Sequence, residues 1–201
     1  MKNTLIVSYT PRQDSYTKVL VDEFLALANH KTNITFLDLV ATPPDLLLAD
    51  NLNLILSGNP SEFTPNERER LRQNDLFIDQ VLAADYIVIA SPMYNFSLPA
   101  TVKAWVDSIV ASDKTFTFSE NNGFKGLCKN TEALVLMVSG NTYSDAASKE
   151  YFSPLIKTNF EFVGIPSKQI SASGVNQFPE QVSAIISKAK NEIKTVIQAW
   201  Y

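Results

Sequence analysis

The sequence predicts an α/β protein: a doubly wound, five-stranded parallel sheet in the order 2-1-3-4-5, within one domain spanning residues 1–201. Three observations predict it. Short apolar runs rich in β-branched residues, such as Tyr86-Ile87-Val88-Ile89-Ala90, read as strands buried on both faces. Segments with apolar residues at helical spacing separate those runs, and strands joined through helices lie parallel with right-handed crossovers. Finally, no internal repeat, linker or low-complexity stretch divides the chain.

The elements follow in order. Thr4 to Ser8 forms a first strand, Val19 to Ala28 a first helix, and Ile34 to Leu39 a second strand. Residues 41–62 are an excursion: Pro43-Pro44 breaks regular structure, and Leu46 to Leu56 is apolar without a clear period, so some helix is expected. Thr64-Pro65-Asn66-Glu67 starts a helix, with Thr64 as N-cap, Pro65 at the first helical position and Glu67 closing a capping box; it runs to about Ala84. Tyr86 to Ala90 is the third strand, Pro99 to Ala111 a helix, and Ala133 to Ser139 the fourth strand. Tyr143 to Phe162 contains helix, Ser167 to Ser171 makes a short fifth strand, and Phe178 to Ala199 is the closing helix.

Composition excludes several classes. Seventeen basic against 21 acidic residues leave a net charge of −4, without the basic patch a nucleic-acid surface needs. No apolar run approaches the ~20 residues of a membrane span. Cys128 and His30 are the only residues of their types. They cannot build the usual zinc sites, no intrachain disulfide is available, and triad chemistry would require His30 itself, at a helix end beside Lys31. With no secretory signal ahead of the first strand, the expectation is a cytoplasmic protein that binds no metal.

In an open α/β sheet, ligands bind outside the carboxyl ends of the strands. Three loops are therefore expected to converge. The first, Ser8 to Thr17, lacks dinucleotide and Walker fingerprints but carries hydroxyls at Thr10, Ser15 and Thr17, the last two opening a helix whose N-terminus attracts phosphate. Ser15 serves equally well as a simple N-cap. The second, Ser91-Pro92-Met93-Tyr94-Asn95-Phe96, offers an aromatic face, an amide and free backbone N–H groups, an inventory that suits a flat hydrogen-bonding heterocycle. The third, Ser139-Gly140-Asn141-Thr142-Tyr143, has a glycine for close approach or positive φ, flanked by polar contacts.

Together these loops, with Thr115-Phe116-Thr117-Phe118-Ser119-Glu120-Asn121, Gly126-Leu127 and Phe162-Val163-Gly164-Ile165, resemble the FMN-dependent NADH-azoreductases and NAD(P)H:quinone oxidoreductases of flavodoxin-like fold. The resemblance covers nearly the whole chain. It implies bound FMN, NAD(P)H as co-substrate, reduction of quinones and azo compounds, and a homodimer. It also implies that Ser15, Tyr16 and Thr17, with Thr10 nearby, hold the FMN phosphate. Pro92, Met93, Tyr94, Asn95 and Phe96 would line the isoalloxazine, and Ser139, Gly140 and Asn141 would close its other side. Asn95 would act catalytically, as a donor to the charge developing on the ring. Phe96, Phe118 and Phe162 would form the substrate slot, expected at one sheet edge; nicotinamide and acceptor sharing it would bind in turn, with ping-pong kinetics and hydride transfer in each half-reaction. Three departures stand out: Tyr9 where a second serine is common, Asn141-Thr142 where Gly-Gly is common, and no arginine in Ser57-Gly58-Asn59-Pro60. The last two bear on nicotinamide preference and substrate range. A flavodoxin-type electron carrier and an acyl-carrier-protein phosphodiesterase-type hydrolase are the alternatives, the first disfavoured by the mild charge, the second by the lack of a metal-ligand cluster or triad.

Overall fold

The computed structural model describes residues 1–57, 59–143 and 149–201. Five strands form the main sheet: β1 (Lys2–Ser8), β2 (Thr32–Asp38), β3 (Tyr86–Pro92), β6 (Glu132–Ser139) and β7 (Ser167–Ser173). Their order is β2-β1-β3-β6-β7 and all neighbours are parallel. Counted along the chain, this is the expected 2-1-3-4-5. Six α-helices accompany them among the described residues: α1 (Tyr16–Ala28), α2 (Ala49–Ser57), α3 (Pro65–Ala83), α4 (Ala100–Ile109), α5 (Phe152–Val163) and α6 (Val182–Trp200).

Side chains along a strand point alternately to opposite faces, and here both faces are buried. Ile6, Val88, Leu134 and Leu136 pack under α1 and α6, against Phe24, Ile193 and Ile197. Leu5, Val7, Ile87, Ile89 and Val135 pack under α3, α4 and α5, against Phe77, Trp105 and Phe160. That is why the strands read as unbroken apolar runs instead of alternating ones.

The start of α3 takes the form its sequence dictates. Glu67 N–H donates to Thr64 Oγ1 at 3.3 Å, and Thr64 N–H donates to Glu67 Oε2 at 2.8 Å. The excursion before it contains α2 and a short 3₁₀ turn at Pro60–Glu62. Gln73 of α3 pins the chain ahead of α2: Asp45 N–H donates to its Oε1 and its Nε2 donates to the Pro43 carbonyl.

Two elements differ from expectation, and a third is found within its expected segment. A hairpin, β4 (Phe116–Ser119) with β5 (Gly123–Gly126), stands between α4 and β6 and was not anticipated. Its strands are only four residues each, too short to show a period against the flanking loops. Asn122 N–H closes on the Ser119 carbonyl and Gly123 takes φ +66, so the turn itself is local. The closing helix begins at Val182, after a 3₁₀ turn at Pro179–Gln181. The helix expected within 143–162 begins at Phe152; residues 144–148 of that segment, and Gly58 in the Ser57–Pro60 stretch, lie outside the described residues.

Candidate active site

Strand register sets where the loops begin. Ser8 pairs with Ala90, Pro92 with Val138, and Ser139 with Ser173, so β1, β3 and β6 release their chains at one edge. The structure thus brings the three expected loops together. Tyr9 N–H donates to the Ala90 carbonyl at 2.9 Å, and the Tyr9 ring meets Tyr94 edge-on at 6.4 Å. Tyr9, which departs from the common serine, is therefore a wall between the first two loops, a role its single aromatic ring did not announce in sequence.

In the first loop Ser15 is the N-cap of α1, its Oγ accepting from Lys18 N–H at 3.3 Å. The cap uses an oxygen lone pair and leaves the hydroxyl proton free to donate. Thr17 lies in the first helical turn at 1 % exposure, yet among the described residues neither its hydroxyl nor that of Thr10 has a hydrogen-bond partner. The first-turn N–H groups of α1 are unused by the helix itself. Tyr16 is exposed.

The second loop is a two-residue hairpin turn. Tyr94 N–H donates to the Ser97 carbonyl at 3.1 Å and Ser97 N–H to the Tyr94 carbonyl at 3.0 Å. Asn95 and Phe96 between them both adopt left-handed conformations, φ +47 and φ +70, the pattern of a type I′ turn. Asparagine tolerates that region; phenylalanine there is a true outlier. The Phe96 carbonyl accepts from Tyr151 N–H at 2.8 Å, at the start of α5, and its ring meets Tyr143 edge-on at 6.3 Å. The N–H groups of Asn95 and Phe96 have no partner among the described residues, whereas Met93 N–H is taken by the Val138 carbonyl at 2.8 Å. Met93 is buried, and Tyr94 and Phe96 are exposed.

In the third loop the Ser139 hydroxyl donates to the Asn141 carbonyl at 2.8 Å, so its side chain shapes the loop from within. A Cβ on Gly140 would meet Asn176 Nδ2 at 2.8 Å. The Asn176 side chain, from the neighbouring loop after β7, packs against this glycine, and Asn176 N–H donates to the Gly140 carbonyl at 2.9 Å. Asn141 is exposed beside them.

Phe118 and Phe162 do not join this edge in a single chain, which corrects the expectation that all three slot phenylalanines share it. α5 starts beside Phe96 and runs back along the sheet, so Phe162 lies about 16 Å further on, at 1.5 Å per residue. There the Val163 carbonyl accepts from Cys128 N–H, and a Cβ on Gly126 would meet Gly164 N at 2.2 Å. Two contiguous backbones leave no room for any side chain, and this contact docks the β4–β5 hairpin on the end of α5. The hairpin rings gather round Phe162: Phe116 at 4.8 Å, Phe124 at 5.5 Å, with Phe118 at 4.9 Å from Phe124. Phe118 and Phe124 are 56 % and 63 % exposed, so the cluster ends in a bare aromatic surface at the amino edge of the sheet. Phe116 and Phe124 escaped the sequence reading; the alternation Phe116-x-Phe118 was the available signal.

Cys128 is packed in the core, and burial pushes its thiol pKa up from the ordinary value. Among the described residues no three His, Cys, Asp or Glu side chains are grouped to hold a metal ion, and no helix is long and apolar enough to cross a membrane.

The sheet order and the loops gathered over its carboxyl edge define a protein of the flavodoxin-like fold, and the family of that description matches residues 2–197. An FMN-dependent NADH:quinone oxidoreductase of Francisella philomiragia is 30 % identical over 196 residues, covering 95 % of this chain and 96 % of the relative. One from Hyphomonas neptunium is 32 % identical, covering 100 % and 98 %. The chain belongs to this family of FMN-dependent NADH:quinone oxidoreductases and is an enzyme. Among solved structures, an azoreductase from Bacillus anthracis superposes with a TM-score of 0.90 at 24 % identity, covering 98 % of this chain and 99 % of that one. An FMN-dependent NADH-azoreductase from the same species, in complex with FMN, gives 0.87 at 23 %, covering 100 % and 99 %.

Proposed function

We propose that this chain binds FMN at the carboxyl edge of its sheet and uses it to reduce quinones, and azo compounds, at the expense of NADH. One observation carries the reading. The left-handed turn at Asn95-Phe96 presents two backbone N–H groups without partners, beside a helix N-terminus with two unpartnered hydroxyls. That donor set fits a heterocycle joined to a phosphate.

When bound, FMN supplies the two-electron redox chemistry that none of the side chains here provides. Thr10, Ser15, Tyr16 and Thr17 hold its phosphate through hydroxyls and first-turn N–H groups, with the α1 dipole in support. Pro92 to Phe96 line the ring, and Asn95 donates towards the atoms on which negative charge develops. Ser139, Gly140 and Asn141 close the other side, largely through backbone, since the Ser139 hydroxyl is already engaged. Phe96 forms one wall of a slot that nicotinamide and acceptor occupy in turn.

Phe118 and Phe162 complete that slot from a second copy. One chain holds its loops and its aromatic surface at opposite sheet edges, and a symmetric homodimer in antiparallel orientation brings each against the other. The whole chain acts as one cytoplasmic unit, and NADH is the favoured donor because it appears in the names of the relatives. Purified protein should be yellow and release FMN on heating. A colourless protein that takes up no flavin on titration overturns the reading.

A further inference from the structure

α3 carries a face that the described residues leave largely open, with only Lys114 reaching it, at Asp75. With 3.6 residues per turn, positions 65, 68, 72, 75, 79 and 82 fall on one stripe. Pro65, Arg68, Arg72, Asp79 and Leu82 are exposed along it, and Asp75 is half-exposed. A surface hollow of about 550 Å³ lies over this face. From one end to the other the stripe reads apolar, positive, positive, negative, negative, apolar. Reversed, it is its own charge complement: Pro65 falls opposite Leu82, Arg68 opposite Asp79, and Arg72 opposite Asp75.

We propose that α3 pairs antiparallel with α3 of a second copy in this register, about a two-fold axis between Gln73 and Asn74. The proposal rests on the FMN-dependent, dimeric reading above and deepens it by naming the surface that orients the copies. Intrachain contacts rank the pairs. Arg72 Nε already lies 3.0 Å from Glu69, and Lys114 Nζ lies 2.6 Å from Asp75. Asp79 has no partner among the described residues. Arg68 donates its Nε to the Phe63 carbonyl at 3.1 Å and one terminal nitrogen to Ser61, which leaves further donors of its five. The outer pair, Arg68 with Asp79 made twice by symmetry, therefore sets the register.

The orientation is the one the site requires. α3 runs antiparallel to the strands, ending where Asp85 N–H donates to the Asn3 carbonyl at the amino edge. Two α3 helices laid antiparallel place the amino edge of one copy by the carboxyl edge of the other. That carries the Phe118–Phe124 surface of each copy towards the Asn95-Phe96 turn of its partner.

The test is sedimentation of the full chain across a concentration series, with bound FMN measured by absorbance on the same samples. Arg68→Glu sets like charges opposite each other twice and should weaken the dimer at least tenfold; Asp79→Arg should do the same. The double variant Arg68→Glu/Asp79→Arg restores opposite charges and should return the dimer constant to within about threefold of the original. This recovery distinguishes register from local damage at the start of α3. Single variants that dimerise like the parent, or a double variant no better than its singles, overturn the proposed register while leaving the FMN and dimer readings intact if the parent is a yellow dimer. A parent chain that is monomeric at micromolar concentration overturns both the register and the dimer.

Discussion

Phe96 sits at φ +70 in a turn where Gly is the ordinary occupant of the second central position. The left-handed region costs a bulky residue about 1–2 kcal/mol, and the carbonyl bond to Tyr151 N–H and the Tyr143 ring help hold it there. The strain keeps an exposed ring over the candidate slot and aims two N–H groups outward. Phe96→Ala keeps the strain and loses the ring contact; Phe96→Gly loses both. Glycine is therefore expected to be more stable than alanine here by about 1 kcal/mol, the reverse of the usual ranking. Denaturant midpoints of the two flavin-free variants decide it, and an alanine variant equal to or above glycine refutes the strain. Thr17 offers a second residue-scale test. Its hydroxyl is unpartnered and its methyl group buried, so Thr17→Val preserves shape while removing one donor to a charged acceptor. A hydrogen bond of roughly 1.5–3 kcal/mol is lost, so FMN affinity should fall about tenfold or more with little change in thermal stability. Ser15→Ala should lower stability as well, by about 1 kcal/mol, because Ser15 is also the cap of α1.

Among the elements, α3 shows how local chemistry and tertiary position combine. Its capping box holds the Glu67 carboxyl below the ordinary value of 4.5, chiefly through the Thr64 hydroxyl and then the Thr64 N–H. A carboxylate depressed in the folded state contributes stability that is present above its unfolded pKa and lost as pH falls through the folded value. Thr64→Ala should therefore destabilise at neutral pH, and the gap to the parent should narrow below about pH 4. Urea midpoints for both proteins across pH 3–7 measure it; a gap that does not narrow in acid would show that the cap works without the Glu67 charge. The hairpin β4–β5 is the complementary case. Neither four-residue strand is stable alone, and a two-stranded hairpin is marginal in water. It exists because Gly126 and Gly164 let two backbones meet and because Phe116 and Phe124 pack on Phe162.

For the whole molecule, the separation of Phe162 from Phe96 along α5 is the reason the slot is proposed to form from a pair of chains. Phe162→Ala should raise the KM for quinone acceptors without releasing FMN. Asn95→Gly should lower the rate of flavin reduction, since glycine keeps the left-handed turn while removing the amide. If each slot combines loops of one copy with phenylalanines of the other, mixing the two variants rebuilds one intact slot in every mixed dimer. About half the parent activity per mixed dimer should return on subunit exchange. A mixture no more active than the average of its components would place the whole slot within one chain.

Much of this protein was legible before folding because its signals are local. The capping box at Thr64 and Glu67, the buried strand Tyr86–Ala90 and the polar loops that follow the strands depend on residues within a few positions of each other. The parallel order followed from strands alternating with helices, since right-handed crossovers leave few arrangements. What tertiary structure alone decided lies in long-range packing. Gly140 answers to Asn176 from another loop, the Ser139 hydroxyl turns inward, and Phe162 ends at the far edge because α5 must run antiparallel to β6. Sequence identifies which residue types carry the chemistry; which of them meet depends on the length and direction of the helices between them, about 1.5 Å for every residue, a sum no local pattern contains.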